Sequence, residues 1–154
     1  MNLITLSNGK LSNQLVNILV ANKEVITSKI IPYLRENGNE KLADYIEYLL
    51  GENPVLLTHA GTMHADDVAT AALWYLFNTG IEIKRVFSVP EDFNGIAFDI
   101  GGGDFDHHTE PREARPNGVL YASFGKVWRT FAPIFFSDFV VEYVDEMLCS
   151  QIDH

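Results

Sequence analysis

The sequence predicts an α/β fold with a mainly parallel sheet and flanking helices. Three observations predict it. Short apolar runs at 55–58, 83–89 and 96–100 alternate with longer stretches whose apolar residues recur at helical spacing. Glycine and proline punctuate the joints, at Gly51, Pro54, Gly80 and Pro90. Acids and histidines collect just after two of the apolar runs, and open parallel sheets bind their ligands beyond the carboxyl ends of their strands.

Taken in order, residues 1–53 read as a helical N-terminal appendage. Leu11, Leu15, Ile18 and Leu19 share a helical spacing, and a second mixed apolar segment runs from Asn22 to Leu34. Leu42, Tyr45, Ile46 and Leu49 form an amphipathic stripe at i, i+3, i+4 and i+7. Gly51 and Pro54 stop that helix. No catalytic constellation falls within the appendage.

The second domain spans 54–154. Val55 to Thr58 reads as a buried strand with His59 at its end. After a turn carrying Gly61, Val68 to Phe77 reads as a helix, with Val68, Ala71, Ala72 and Tyr75 on one face. The run 83–89 is the second strand, closed by Pro90. Ile96, Ala97, Phe98 and Ile100 make the third, 96–100, interrupted by Asp99. A charged loop at 111–116 leads to helices at 118–131 and 138–152. In the last, Val141, Val144, Met147 and Leu148 are expected to face the core.

Composition narrows the function classes. Of 154 residues, 47% are hydrophobic and 21% charged, ordinary for a folded domain. The net charge of −10 argues against coating nucleic acid by bulk electrostatics, though a metal-dependent nuclease needs carboxylates of its own. The lone Cys149 allows neither an internal disulfide nor a cysteine zinc knuckle. With no secretory pattern and no apolar run near the ~20 residues of a membrane span, the expectation is a cytoplasmic protein with no membrane partner.

The chemistry sits in two clusters. His59, His64 and Asp66 follow the first strand. Asp99 closes the third, and Gly101 to Gly103 lead to Asp106, His107 and His108. A buried carboxylate is costly unless it is paired or holds a cation. His and Asp together suit Mn, Fe or Zn. A two-cation site needs several such groups converging, with one carboxylate shared, and Asp99 is placed to be shared. The spacing is not that of a His-Glu-x-x-His zinc helix, because His59 and His64 lie on a glycine-bearing turn.

At these residues the chain resembles the DHH phosphoesterase superfamily, through Asp106-His107-His108. Within it, the chain is most similar to the melanocyte-proliferating-gene protein family, also labelled metal-dependent protein hydrolases. The shared motifs are Thr58-His59-Ala-Gly61-Thr62-Met-His64-Ala-Asp66, Asp99-Ile-Gly101-Gly102, Phe105 to His108, and Ser123-Phe-Gly125. The resemblance covers roughly 55–154. It implies a DHH-type domain and a metal-dependent phosphoesterase, with a nuclease as one form, built on a manganese-type dinuclear centre. His59, His64, Asp66, Asp99 and His107 would be metal ligands, with Asp99 the bridge. His108 would contact the scissile phosphate, and Asp106 would orient its neighbours. The implied substrate is a phosphoester, with RNA or a nucleotide among the candidates.

Gln151-Ile152-Asp153-His154 resembles the start of a fourth family motif, Ile-Asp-x-x-Asp-Asn-Gly. The later Asp of that motif falls past His154, so the domain is expected to be incomplete at its C-terminus. This form is therefore expected to bind metal weakly and turn over little, with Asp153 as the available stand-in and a homo-oligomer as one way to cover the cleft. The alternative function is a metal-binding or protein-interaction module without turnover.

Overall fold

A computed structural model describes residues 23–154. The expected helix around Leu11, Leu15, Ile18 and Leu19 lies outside the described residues. Among those described, the fold is α/β: five helical stretches around a three-stranded parallel sheet.

Helix α1 covers residues 23–36, with Lys23–Val25 and Ile31–Glu36 joined through a wide i→i+5 turn at Ile26–Ile30. Helix α2, Glu40–Leu49, buries Ala43, Ile46 and Leu49, while Leu42 and Tyr45 pack partly against the core. The predicted stripe therefore faces inward. Ile26, Ile31, Leu34, Ile46 and Leu49 belong to the same apolar cluster as Leu56, Trp74, Phe98 and Phe105 of the sheet layer. Over its described residues, the N-terminal helical part thus shares one core with the sheet.

Strand β1, Val55–His59, is central, flanked by β2, Glu82–Val86, on one side and β3, Ile96–Ala97, on the other. Both pairings are parallel, with His59 opposite Val86 and Leu57 opposite Ala97. The chain leaves β1 to one side and later returns on the other, so the carboxyl end of β1 is where a crevice opens.

Two predicted strands are longer than those observed. β2 stops at Val86, because its partner stops at His59, and Phe87 is 94% exposed. β3 pairs over only two residues, because Asp99 turns the backbone into the left-handed region at φ 56°. Phe98 still bonds to Leu57 through its amide (2.9 Å), and Phe98 bridges Phe105.

Helix α3, Ala65–Phe77, crosses from β1 to β2. Its buried face is Asp66, Asp67, Thr70 and Trp74; of the predicted Val68, Ala71, Ala72 and Tyr75, Ala71 packs partly against the core and the other three are exposed. Nearly every position from Val68 to Phe77 is apolar, so the pattern does not fix the phase. Trp74 fixes it by filling the core.

Helix α4, Ser123–Phe135, starts later than the predicted 118. Helix α5 covers residues 138–152, with Asp138–Val144 and Ser150–Ile152 joined by an i→i+5 turn at Asp145–Cys149. That turn inserts one residue per bond and rotates the rest of the helix. Cys149 and Ser150 come to face inward and Met147 and Leu148 face solvent, which corrects the second half of the expected stripe, while Val141 and Val144 are half-buried. No described helix is long and apolar enough to cross a membrane.

Candidate metal centre

The two clusters meet at one edge of the sheet. His59 reaches it as the last residue of β1, and Asp99 reaches it as the residue after Phe98. The left-handed turn at Asp99 is tolerated by Asp better than by most residues. It is held by the Asp99 amide donating to the Phe105 carbonyl (3.0 Å). Gly101 and Gly102 also have positive φ, and a Cβ at Gly101 would press on Val89 Cγ2 at 2.7 Å.

His59 Nε2 lies 3.1 Å from Asp99 Oδ2 and 3.1 Å from Asp67 Oδ2. The Gly61 amide donates to His59 Nδ1 (3.1 Å), which leaves Nε2 as the ring nitrogen that faces the two acids. His107 Nδ1 lies 2.8 Å from Asp99 Oδ1 and 4.0 Å from Asp66 Oδ2. The Asp99 carboxylate, beside that ring, holds the His107 pKa above the usual imidazole range. His64 sits at the exposed rim as the residue preceding α3, its Nδ1 3.8 Å from Asp67 Oδ2.

Asp106 is buried and accepts from the Gly102 amide (2.7 Å) and from the His108 amide (3.0 Å). Its Oδ1 is also 2.8 Å from His108 Nδ1. Burial alone would raise its pKa, but the His108 and Gly102 amides and the His108 ring outweigh that and hold it below the ordinary carboxylate range. His108 stacks on His107 at 4.2 Å, with its side chain 54% exposed.

The predicted residues His59, His64, Asp66, Asp99, Asp106, His107 and His108 therefore converge. One participant was missed: Asp67, which is fully buried, touches His59, and accepts from the His64 amide at 2.7 Å. The signal was helix phase, since 67, 70 and 74 lie on the face that Trp74 turns inward. The expected stand-in does not take part. Asp153 is buried against Arg115 at 2.7 Å and accepts from the Gly125 amide at 3.2 Å.

The donor set fits a divalent cation. Three groups could hold an ion: Asp99, Asp106, His107 and His108; His59, His64 and Asp67; and Asp66, Asp67 and Asp99. In each, the donor atoms lie within 4.8 Å of one another, and Asp99 and Asp67 each belong to two groups. Asp66 Oδ2 and Asp67 Oδ1 are buried without a hydrogen bond, and the two buried Asp99 oxygens face the His59 and His107 ring nitrogens rather than a basic side chain. Orphaned buried carboxylate oxygens are costly, and a cation removes the cost.

Among the described residues no Lys or Arg pairs with Asp66, Asp67 or Asp99. Burial, and next the neighbouring Asp99, push the Asp67 carboxyl above its ordinary pKa. Asp67→Asn is therefore expected to raise the melting temperature of the EDTA-treated protein and to shrink the gain on adding a divalent cation. Thermal melts with and without EDTA check this, and a lower metal-free melting temperature contradicts the repulsion. No protein-family model, curated protein or solved structure matches the chain.

Proposed function

We propose that the chain is a metal-dependent phosphoesterase of the DHH type, with a manganese-type centre of two cations acting on a phosphodiester. One observation carries the reading: three buried carboxylates, Asp66, Asp67 and Asp99, face two imidazoles and no basic side chain among the described residues. The motifs resembling that superfamily support it, because three of them contribute residues to this one edge of the sheet.

In this reading His59, His64 and Asp67 would hold one cation, and Asp66 and His107 would hold the other. Asp99 is shared, since it stands between His59 on one oxygen and His107 on the other. Bound cations supply the charge that polarises a phosphoryl oxygen and lowers the pKa of water. The chain supplies position. Asp106 grips the backbone of the loop at Gly102 and His108 and fixes His108 by its Nδ1. His108 Nε2 is then free to donate to a phosphoryl oxygen when the ring is protonated, or to move a proton when it is neutral.

Elemental analysis after dialysis against Mn2+, together with hydrolysis of bis(p-nitrophenyl) phosphate, tests the reading. Because Asp67 adds a carboxylate that the sequence reading did not count, bound metal and EDTA-sensitive turnover are expected in place of weak binding and little turnover. A protein that binds no divalent cation contradicts the proposal, and one that binds metal but cleaves no phosphoester is a metal-binding module. His108→Ala is expected to keep its metal and lose turnover by about 100-fold or more. Equal loss of metal would remove its assignment to phosphate.

A further inference from the structure

Helix α5 carries an exposed apolar stripe. Phe139, Tyr143 and Met147 follow one another at i, i+4 and i+8 and are 74%, 55% and 59% exposed. The Phe139 and Tyr143 rings stack at 6.0 Å, so they present one continuous surface. Single apolar side chains on a surface are ordinary, but a run along one helix face, rimmed by polar groups, marks a contact site. The i→i+5 turn at Asp145–Cys149 keeps Met147 outside, and such turns within helices recur at functional sites. Behind the stripe the helix is held firmly. Arg115 forks onto Asp145 at 2.7 and 2.8 Å, and the Trp128 indole donates to the Val141 carbonyl at 3.0 Å.

Acids border this stripe. Asp138, Glu142 and Glu146 each precede one of its residues, and all three are exposed. Among the described residues none of them pairs with a Lys or Arg, since the nearby Arg115 is taken by Asp145 and Asp153 and Arg129 by Glu113. The chain has no Lys or Arg between Ser137 and His154. Charge therefore chooses the occupant. Nucleic acid and an anionic lipid surface are repelled by three uncompensated carboxylates. A second copy docking by the same face sets acid against acid. Residues 1–22 contain one Lys and no Arg, so they lack the complementary charge. A helix whose apolar stripe is flanked by Lys and Arg matches both features at once.

We propose that this face of α5 docks a basic amphipathic helix of a partner protein. The partner's apolar side chains lie on Phe139, Tyr143 and Met147, and its cations meet Asp138, Glu142 and Glu146. None of these six residues belongs to a group that could hold a metal ion, so the proposal stands apart from the phosphoesterase reading. The apolar stripe supplies affinity, and the acids select the partner and its orientation.

Fluorescence anisotropy at physiological salt tests the surface with two labelled helical peptides that share one leucine stripe, flanked by Lys in one and by Glu in the other. The wild-type protein is expected to bind the Lys-flanked peptide about ten-fold or more tighter than the Glu-flanked one. Phe139→Ala combined with Tyr143→Ala is expected to weaken that binding by about ten-fold or more and to leave the urea midpoint nearly unchanged. Glu142→Lys combined with Glu146→Lys is expected to reverse the preference. Glu91→Lys combined with Asp92→Lys changes the net charge by the same amount outside α5 and is expected to keep it. Binding of neither peptide, or an equal loss of preference in both charge variants, overturns the proposal. So does a dimer, seen by sedimentation, that the Phe139→Ala and Tyr143→Ala changes dissolve, because a second copy is then the occupant. Binding to phosphatidylserine vesicles that the same changes abolish overturns it too, in favour of a lipid surface.

Discussion

Asp99→Asn is expected to abolish the stabilisation that Mn2+ gives the wild-type protein. A cation at 100-fold excess over its Kd contributes about 2.7 kcal/mol. For a domain of this size that is about 5–10 °C in melting temperature. The whole gain should vanish, because Asp99 serves both halves of the centre: one oxygen faces His59 at 3.1 Å and the other faces His107 at 2.8 Å. Asparagine isolates the charge from the fold, since it tolerates the left-handed backbone at φ 56° as well as Asp does. The backbone bond from residue 99 to the Phe105 carbonyl is kept. His64→Ala is the contrast. Its ring lies at the rim and belongs to one group only, so part of the shift should survive. Thermal melts and elemental analysis of both variants decide the matter. A full Mn2+ shift in Asp99→Asn removes it as the shared ligand.

Local pattern was legible where one face alone is apolar. The α2 stripe is such a case, and β1 was legible for another reason, since its short apolar run is buried on both faces, at Leu56 and Leu57. The convergence of the two clusters was legible as well, because parallel strands put their carboxyl ends on one edge. Phase was not legible where the pattern is apolar all round. Val68 and Tyr75 look as core-like as Trp74, and the difference lies in which side chain the Phe98, Phe105 and Phe131 rings can enclose. The same phase decides that Asp67 enters the site beside Asp66. Neither the i→i+5 turn at Asp145–Cys149 nor the left-handed Asp99 has a local sequence signal that would have shortened β3 or rotated α5. The Arg115–Asp153 pair joins residues far apart in sequence, so nothing near Asp153 reveals that its carboxylate is already taken.

Trp74→Ala is expected to cost about 3–5 kcal/mol, the range for removing a buried Trp side chain. The stability of a whole domain is only about 5–15 kcal/mol, so this variant sits close to unfolding. Trp74 is fully buried and packs edge-on against Phe105 at 5.5 Å and Phe131 at 5.4 Å, with Phe98 at 6.4 Å. Phe98 precedes Asp99, and the Phe105 carbonyl receives the Asp99 amide, so the two rings that Trp74 supports bracket the candidate bridging residue. The cavity should therefore loosen the centre as well as the core, and the Mn2+ shift should fall along with the denaturation midpoint. Trp74→Phe should cost less than area alone suggests, because the buried Nε1 of Trp74 has no hydrogen-bond partner and its loss is a relief. Phe139→Ala is the control: an aromatic of similar chemistry, 74% exposed on α5, whose removal should change stability by less than about 0.5 kcal/mol. Urea denaturation of the three variants orders them. If Trp74→Ala is no worse than Phe139→Ala, the aromatic cluster is not what holds the two strand ends together beneath the site.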